Sequence, residues 1–149
     1  MSEQNLAVVG DIGGTNARFA LVEPGSTHLQ EIEVLPCSDY ANLDDAFREY
    51  LLRKSIDSVK VASFAFACPV HTDAISMTNN HWAFSKSEMQ RKLGLDSFKC
   101  INDFTGMALG VPHLSQGQLV KVGGGEGDPA RPRLVIGPGT GLEIGRAHV

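Results

Sequence analysis

Three short stretches hold the residue types best suited to chemistry. Gly10-Asp11-Ile12-Gly13-Gly14-Thr15-Asn16 sets a carboxylate beside two glycines and a hydroxyl, directly after the apolar run Leu6-Ala7-Val8-Val9. Glycines let backbone approach a phosphate closely, and successive amides can point at its oxygens. A carboxylate at that place, Asp11, could hold a magnesium ion through water. A tight hairpin uses the same residue types, and on spacing alone it is the commoner outcome, because short glycine motifs match by chance. Gly137-Pro138-Gly139-Thr140-Gly141 is a second candidate phosphate turn, set against a plain loop in which proline and glycine break a strand. Two separated glycine turns suit a nucleotide gripped from both sides of a cleft. Asn102-Asp103 stands where a strand should hand over to a helix. Asp103 could act as a general base, and Asn102 could both donate to and accept from substrate hydroxyls. Asp is also a favoured helix cap at such a junction, and on position alone that is the commoner role.

Other chemistries lack their residues. No GKS or GKT follows either glycine cluster, so neither is a Walker A loop, and neither matches the GxGxxG dinucleotide fingerprint. Phe104-Thr105-Gly106 is not the DFG of protein kinases, and no HRD precedes it; no GxSxG offers a nucleophile elbow. The histidines (His28, His71, His81, His113, His148) show no HExxH or clustered spacing. Cys37, Cys68 and Cys100 are odd in number and widely spaced, giving neither a disulfide framework nor a metal knuckle. Trp82, between His81 and Phe84, reads as core rather than as a stacking platform.

The elements that must position these residues emerge from pattern. Leu6–Val9 and Arg18–Val22 read as strands joined by a glycine-rich bend, the gap being too short for a crossover helix. Leu29–Leu35, with Ile32 and Val34 alternating against charges, reads as a third strand, so the sheet should open with an antiparallel meander. Leu43, Ala46, Phe47, Tyr50 and Leu51 repeat at three and four and predict a helix. Val59–Ala67 is expected to be a buried strand closed by Pro69, and Ala74–Thr78 a short edge strand before the Asn79-Asn80-His81 turn. Ser85-Lys86-Ser87-Glu88 has capping-box spacing, with Met89 and Leu93 behind it and Gly94 as the stop. Phe98–Ile101 predicts a strand, followed by a helix carrying Phe104, Met107 and Ala108; Gln116–Val122 and Arg133–Ile136 predict two more strands. Strands alternating with helices after an opening meander define the α/β class.

Composition bounds the rest. The chain has 149 residues, 42% apolar and 20% charged, enough for a real core in one domain or for part of a larger protein. Thirteen basic against seventeen acidic residues give a formal charge of −4, which argues against a nucleic-acid partner. No apolar run approaches the length of a membrane span, and Met1-Ser2-Glu3-Gln4-Asn5 is unlike a signal peptide. A soluble, cytoplasmic protein with no membrane partner is expected.

Five motifs in fixed order resemble one family, the bacterial ATP-dependent glucokinases of the actin–hexokinase–Hsp70 superfamily. They are Val9 to Arg18, Ala67-Cys68-Pro69, Met77 to Ser85, Ile101 to Thr105, and Gly137 to Leu142. The resemblance implies an actin/hexokinase-like (ribonuclease H-like) mixed sheet with helices packed on it, in a two-domain protein that closes on a sugar with ATP in the cleft. It implies phosphoryl transfer from ATP to the 6-hydroxyl of glucose, with Mg²⁺, and a homodimer as the family's common assembly. By the same resemblance Asp103 matches the catalytic base and Asn102 its sugar-binding neighbour, while Asn79 lies in a signature near the sugar. Asp11, Gly13, Gly14, Thr15 and Asn16 match the first phosphate motif, with Asp11 toward the metal. Gly137, Gly139, Thr140 and Gly141 match the second.

Residues 1–113 are then expected to form the small N-terminal domain, and 114–142 to begin the large one. Residues 143–149 depart from the family pattern and read as a divergent tail, from a shifted frame or an appended segment. The downstream sugar ligands and the adenine pocket have no positions here, so an N-terminal fragment, inactive alone, is expected. The alternatives are another sugar kinase of the superfamily, or a non-catalytic sugar-binding or interaction module.

Overall fold

A computed structural model describes residues 6–128, 130–138 and 142–147. The chain falls into two compact units, dividing after Asp103.

In the first unit β1 (Ala7–Ile12), β2 (Asn16–Val22) and β3 (Gln30–Pro36) form the expected antiparallel meander. β4 (Val61–Phe66) then pairs with β1 in parallel, and β7 (Ser97–Asn102) pairs with β4 in parallel, giving the order β3-β2-β1-β4-β7. Between them α1 (Leu43–Arg53) and α2 (Lys86–Lys92) provide the crossovers that parallel pairing requires. β5 (Ala74–Ser76) and β6 (Ala83–Ser85) form a separate two-stranded hairpin, so the strand expected over Ala74–Thr78 is shorter and lies outside the main sheet.

Each helix forms for a local reason. Asn42 caps α1 by accepting from the Leu43 amide at 2.9 Å, and Leu43, Ala46, Phe47 and Tyr50 make the buried stripe. Ser85 caps α2 by accepting from the Glu88 amide, and Gly94 ends the segment at φ +66. The core lies between α1 and the sheet. Gly10 on β1 is registered between Phe19 on β2 and Phe64 on β4, and the two rings meet over it at 5.4 Å between centroids. A Cβ on Gly10 would stand 2.7 Å from Phe64 Cδ1, so a packing demand explains this glycine. Phe47 and Tyr50 close the cluster from above.

Buried polar groups are accommodated. The Tyr50 hydroxyl donates to the carbonyl of Glu31, which holds a left-handed φ of +51 beside the β2–β3 register shift. Burial, ahead of the nearby Glu31 and Glu33 charges, pushes this phenol up to about 12. Asp44 is buried on α1, and its Oδ2 lacks an aligned hydrogen bond, yet Lys92 Nζ stands 2.5 Å away and Arg48 at 3.8 Å. The contact is an ion pair. Among the described residues no helix is long and apolar enough to cross a membrane.

α3 (Asp103–Gly110) leads into the second unit, where β8 (Arg133–Pro138) and β9 (Leu142–Ala147) form an antiparallel hairpin. Six residues near the chain's end, which include most of the expected tail, thus pair as a strand. The strand expected over Gln116–Val122 does not form. Ser115 and Gln118 satisfy each other in a capping box around a single 3-10 turn, Gln116–Gln118, and local side-chain bonds of this kind compete with strand pairing. Leu119, Val120 and Val122 come after it exposed, without the neighbouring strand that would bury them.

Candidate functional site

Three parallel strands end level with one another. Ile12 of β1 registers with Phe66 of β4, and Phe66 with Asn102 of β7. The segments leaving these strands therefore gather at one edge: the Gly13-Gly14 turn, Ala67-Cys68-Pro69, and Asn102-Asp103. Ligands of α/β sheets bind at this carboxyl end. Adjacent strands lie about 4.8 Å apart, which sets β1 and β7 about 10 Å apart across β4.

The glycine turn is a tight hairpin, with the Gly13 amide donating to the Asn16 carbonyl at 2.9 Å. The segment is thus a hairpin, and it sits at the carboxyl edge of the parallel strands. The Thr15 carbonyl accepts from the Cys37 amide at 2.8 Å, which fixes the far side of the turn. A Cβ on Gly14 would fall 2.6 Å from the Asn79 Cβ, so this glycine exists in contact with the loop between β5 and β6. Asn79 is exposed beside it.

Asp11 and Arg18 are cross-strand partners, and Arg18 Nη1 donates to Asp11 Oδ2 at 2.8 Å, with both side chains about half exposed at 54%. Among the described residues no three His, Cys, Asp or Glu side chains cluster as a metal cage. A single, half-exposed carboxylate fits magnesium, which keeps several waters and takes one or two carboxylates together with substrate phosphates.

Asn102 and Asp103 are half-buried at the end of β7 and the start of α3. The helix begins at Asp103 itself, where a carboxylate interacts favourably with the macrodipole. Asn102 Nδ2 reaches the Cys68 carbonyl at 3.5 Å, tying β7 to the β4 exit. The Cys68 thiol is raised by burial first and by the Asp103 charge second.

In the second unit Gly137 lies within β8 rather than in a free turn. A Cβ there would collide with the Phe104 ring. Gly139, Thr140 and Gly141 lie outside the described residues.

Asn80, which the sequence marks only as a turn residue, bears directly on this edge. Asn80 accepts from the Trp82 amide at 2.8 Å and donates to the Gly13 carbonyl at 3.2 Å. The first contact is an Asx turn, a local pattern readable from an Asn at a bend. The second joins positions 67 apart, and no local signal announces it. The Tyr40 carbonyl accepts from both Trp82 Nε1 at 3.1 Å and His81 Nε2 at 2.9 Å, so His81 carries its proton on Nε2. Cys37 Sγ also points at the Gly13 carbonyl, and burial raises this thiol.

The family model for glucokinase matches residues 8–149. A glucokinase of Hahella chejuensis is 60% identical over 144 residues, which span 97% of this chain and 45% of the relative. One from Marinobacter nauticus is 55% identical over the same shares. The chain thus spans less than half the length of these curated relatives. Among solved structures, a glucokinase from an Antarctic psychrotroph superposes with a TM-score of 0.85 at 32% identity, covering 94% of this chain and 45% of that one.

Proposed function

The chain belongs to the glucokinase family, and on that premise we propose that the whole protein transfers the γ-phosphate of ATP to the 6-hydroxyl of glucose, at the entry to glycolysis. Its sheet is of the actin–hexokinase type. The observation that carries the reading is the level ending of β1, β4 and β7, which sets a glycine turn and an Asn-Asp pair at one edge.

Phosphoryl transfer needs positioning and charge neutralisation more than covalent help. Asp103 accepts the proton of the sugar 6-hydroxyl as that oxygen attacks the γ-phosphorus. Asn102 fixes the sugar's orientation, held in turn by the Cys68 carbonyl, and Asn79 borders the same sugar. Amides of Gly14 through Asn16 meet phosphate oxygens, the Gly13 amide being held by the Asn16 carbonyl, and Gly139, Thr140 and Gly141 supply the second phosphate motif, with Gly137 in the strand that leads to it. Asp11 would hold Mg²⁺ through water, and the ion would supply neutralisation of phosphate charge when bound. Residues 1–113 form the small domain and 114–142 open the large one. The reading carries a cytoplasmic setting and, from the family, a homodimer.

These 149 residues alone should turn over negligibly, since the chain spans 45% of its relatives. The test is glucose-6-phosphate formation from glucose and Mg·ATP by this chain, by a version extended to its relatives' length, and by that version with Asp103→Asn. Turnover by the extended protein alone supports the reading. Inactivity of the unaltered extended protein, or full activity of the Asp103→Asn variant, overturns it.

A further inference from the structure

We propose that Asn80 is a positioning residue that locks the Asn79 loop to the Gly13-Gly14 turn and so sets the aim of the turn's phosphate-binding amide. The inference rests on the functional reading above for the identity of the phosphate donor.

Asn80 uses both ends of its carboxamide. Oδ1 accepts from the Trp82 amide and holds its own loop, while Nδ2 donates across to the Gly13 carbonyl. In a trans peptide the carbonyl and the following N–H point in opposite directions. Pinning the Gly13 carbonyl toward Asn80 therefore directs the Gly14 N–H away from it, and backbone amides at such a turn are what a phosphate meets.

The loop that Asn80 belongs to is itself rigidly seated. Trp82 is buried, and its Nε1 and His81 Nε2 converge on the Tyr40 carbonyl. Met77 N donates to the Trp82 carbonyl across the loop's neck, and Asn42 Nδ2 holds the Ala83 carbonyl at 2.9 Å. Gly14 in contact with Asn79 completes a two-point junction. A displacement on the sugar side is thereby carried to the phosphate side through one hydrogen bond and one backbone contact.

Asn80→Asp separates the two bonds, because its carboxylate still accepts from Trp82 but cannot donate to Gly13. Asn80→Ala removes both. In the extended protein, Asn80→Asp should weaken binding of a non-hydrolysable ATP analogue, read by calorimetry, about five- to tenfold, the size of one hydrogen bond. It should raise the KM for ATP by the same factor and leave the KM for glucose within about twofold. Asn80→Ala should raise both KM values, since the Asn79 loop then loosens as well. Analogue affinity unchanged in Asn80→Asp, or glucose and ATP constants moving together in that variant, overturns the inference. Because analogue binding is read without turnover, it is decided separately from the unaltered protein's activity on glucose.

Discussion

Gly14→Ala tests whether the glycine turn and the Asn79 loop act as one unit. The added Cβ falls 2.6 Å from the Asn79 Cβ and 3.1 Å from its carbonyl oxygen. Carbon atoms settle at about 3.5–4.0 Å, so the shortfall is about 1 Å. No side-chain rotation relieves it, because both Asn79 atoms are fixed to backbone and the loop is held at Gly13 and Tyr40. Overpacking of this kind costs about 1–3 kcal/mol. The turn and loop must part by about the same 1 Å, and an error of that size near reacting groups can cost about 100-fold in rate. Gly10→Ala is the control. Its Cβ would stand 2.7 Å from the Phe64 ring, a comparable clash, but on the helix-covered face of the sheet. Thermal unfolding and kcat/KM on the extended protein separate the two. Both variants should lose about 1–3 kcal/mol of stability. Gly14→Ala should lose about 100-fold in kcat/KM while Gly10→Ala stays within about threefold. Near-normal turnover by Gly14→Ala, or an equal loss in both, would refute the reasoning.

The same structure sets other outcomes. Asp103→Asn should lower kcat by about 10²–10⁴, the usual weight of a general base, with little change in melting temperature because Asn is tolerated at a helix start. Tyr50 sits neutral with its pKa raised to about 12; its contribution to stability is complete below the unfolded value of about 10 and is lost as pH rises through about 12. Alkaline unfolding followed by circular dichroism should therefore be shallower above that lower value in Tyr50→Phe, which at neutral pH costs about 1 kcal/mol for the lost bond to Glu31. Lys92→Ala leaves Asp44 buried with only Arg48 at 3.8 Å and should cost about 1–3 kcal/mol, less than a wholly buried pair because Lys92 is half exposed. Lys121→Ala breaks the exposed pair with Glu126 and should move the denaturation midpoint little.

Much of this protein is written in local pattern. The stripe of Leu43, Ala46, Phe47 and Tyr50 specifies α1, Ser85 with Glu88 starts α2, and the short glycine gap between two apolar runs forces a hairpin. These signals are readable because each is satisfied within a few residues. The glycine, Asn-Asp and proline motifs stay ambiguous one by one, and only their order, through its resemblance to the glucokinases, points to a sugar kinase. Gln116–Val122 misled because its apolar residues suggest a strand, whereas Ser115 and Gln118 close a turn on themselves and the rest stays exposed.

What only the tertiary structure decided is which residues stand together. Nothing local says that Ile12, Phe66 and Asn102 end level, since parallel register is set by crossovers many residues long. Nor does sequence separate the glycines by task. Gly10 makes room for Phe19 and Phe64, Gly14 for Asn79, and Gly137 for Phe104, three close approaches that differ only in what comes near. Asn80 reads as a turn residue from its neighbours and becomes a link to Gly13 only when the β5–β6 loop folds onto the first hairpin. A residue's type limits which bonds it can form, and long-range packing chooses the partner.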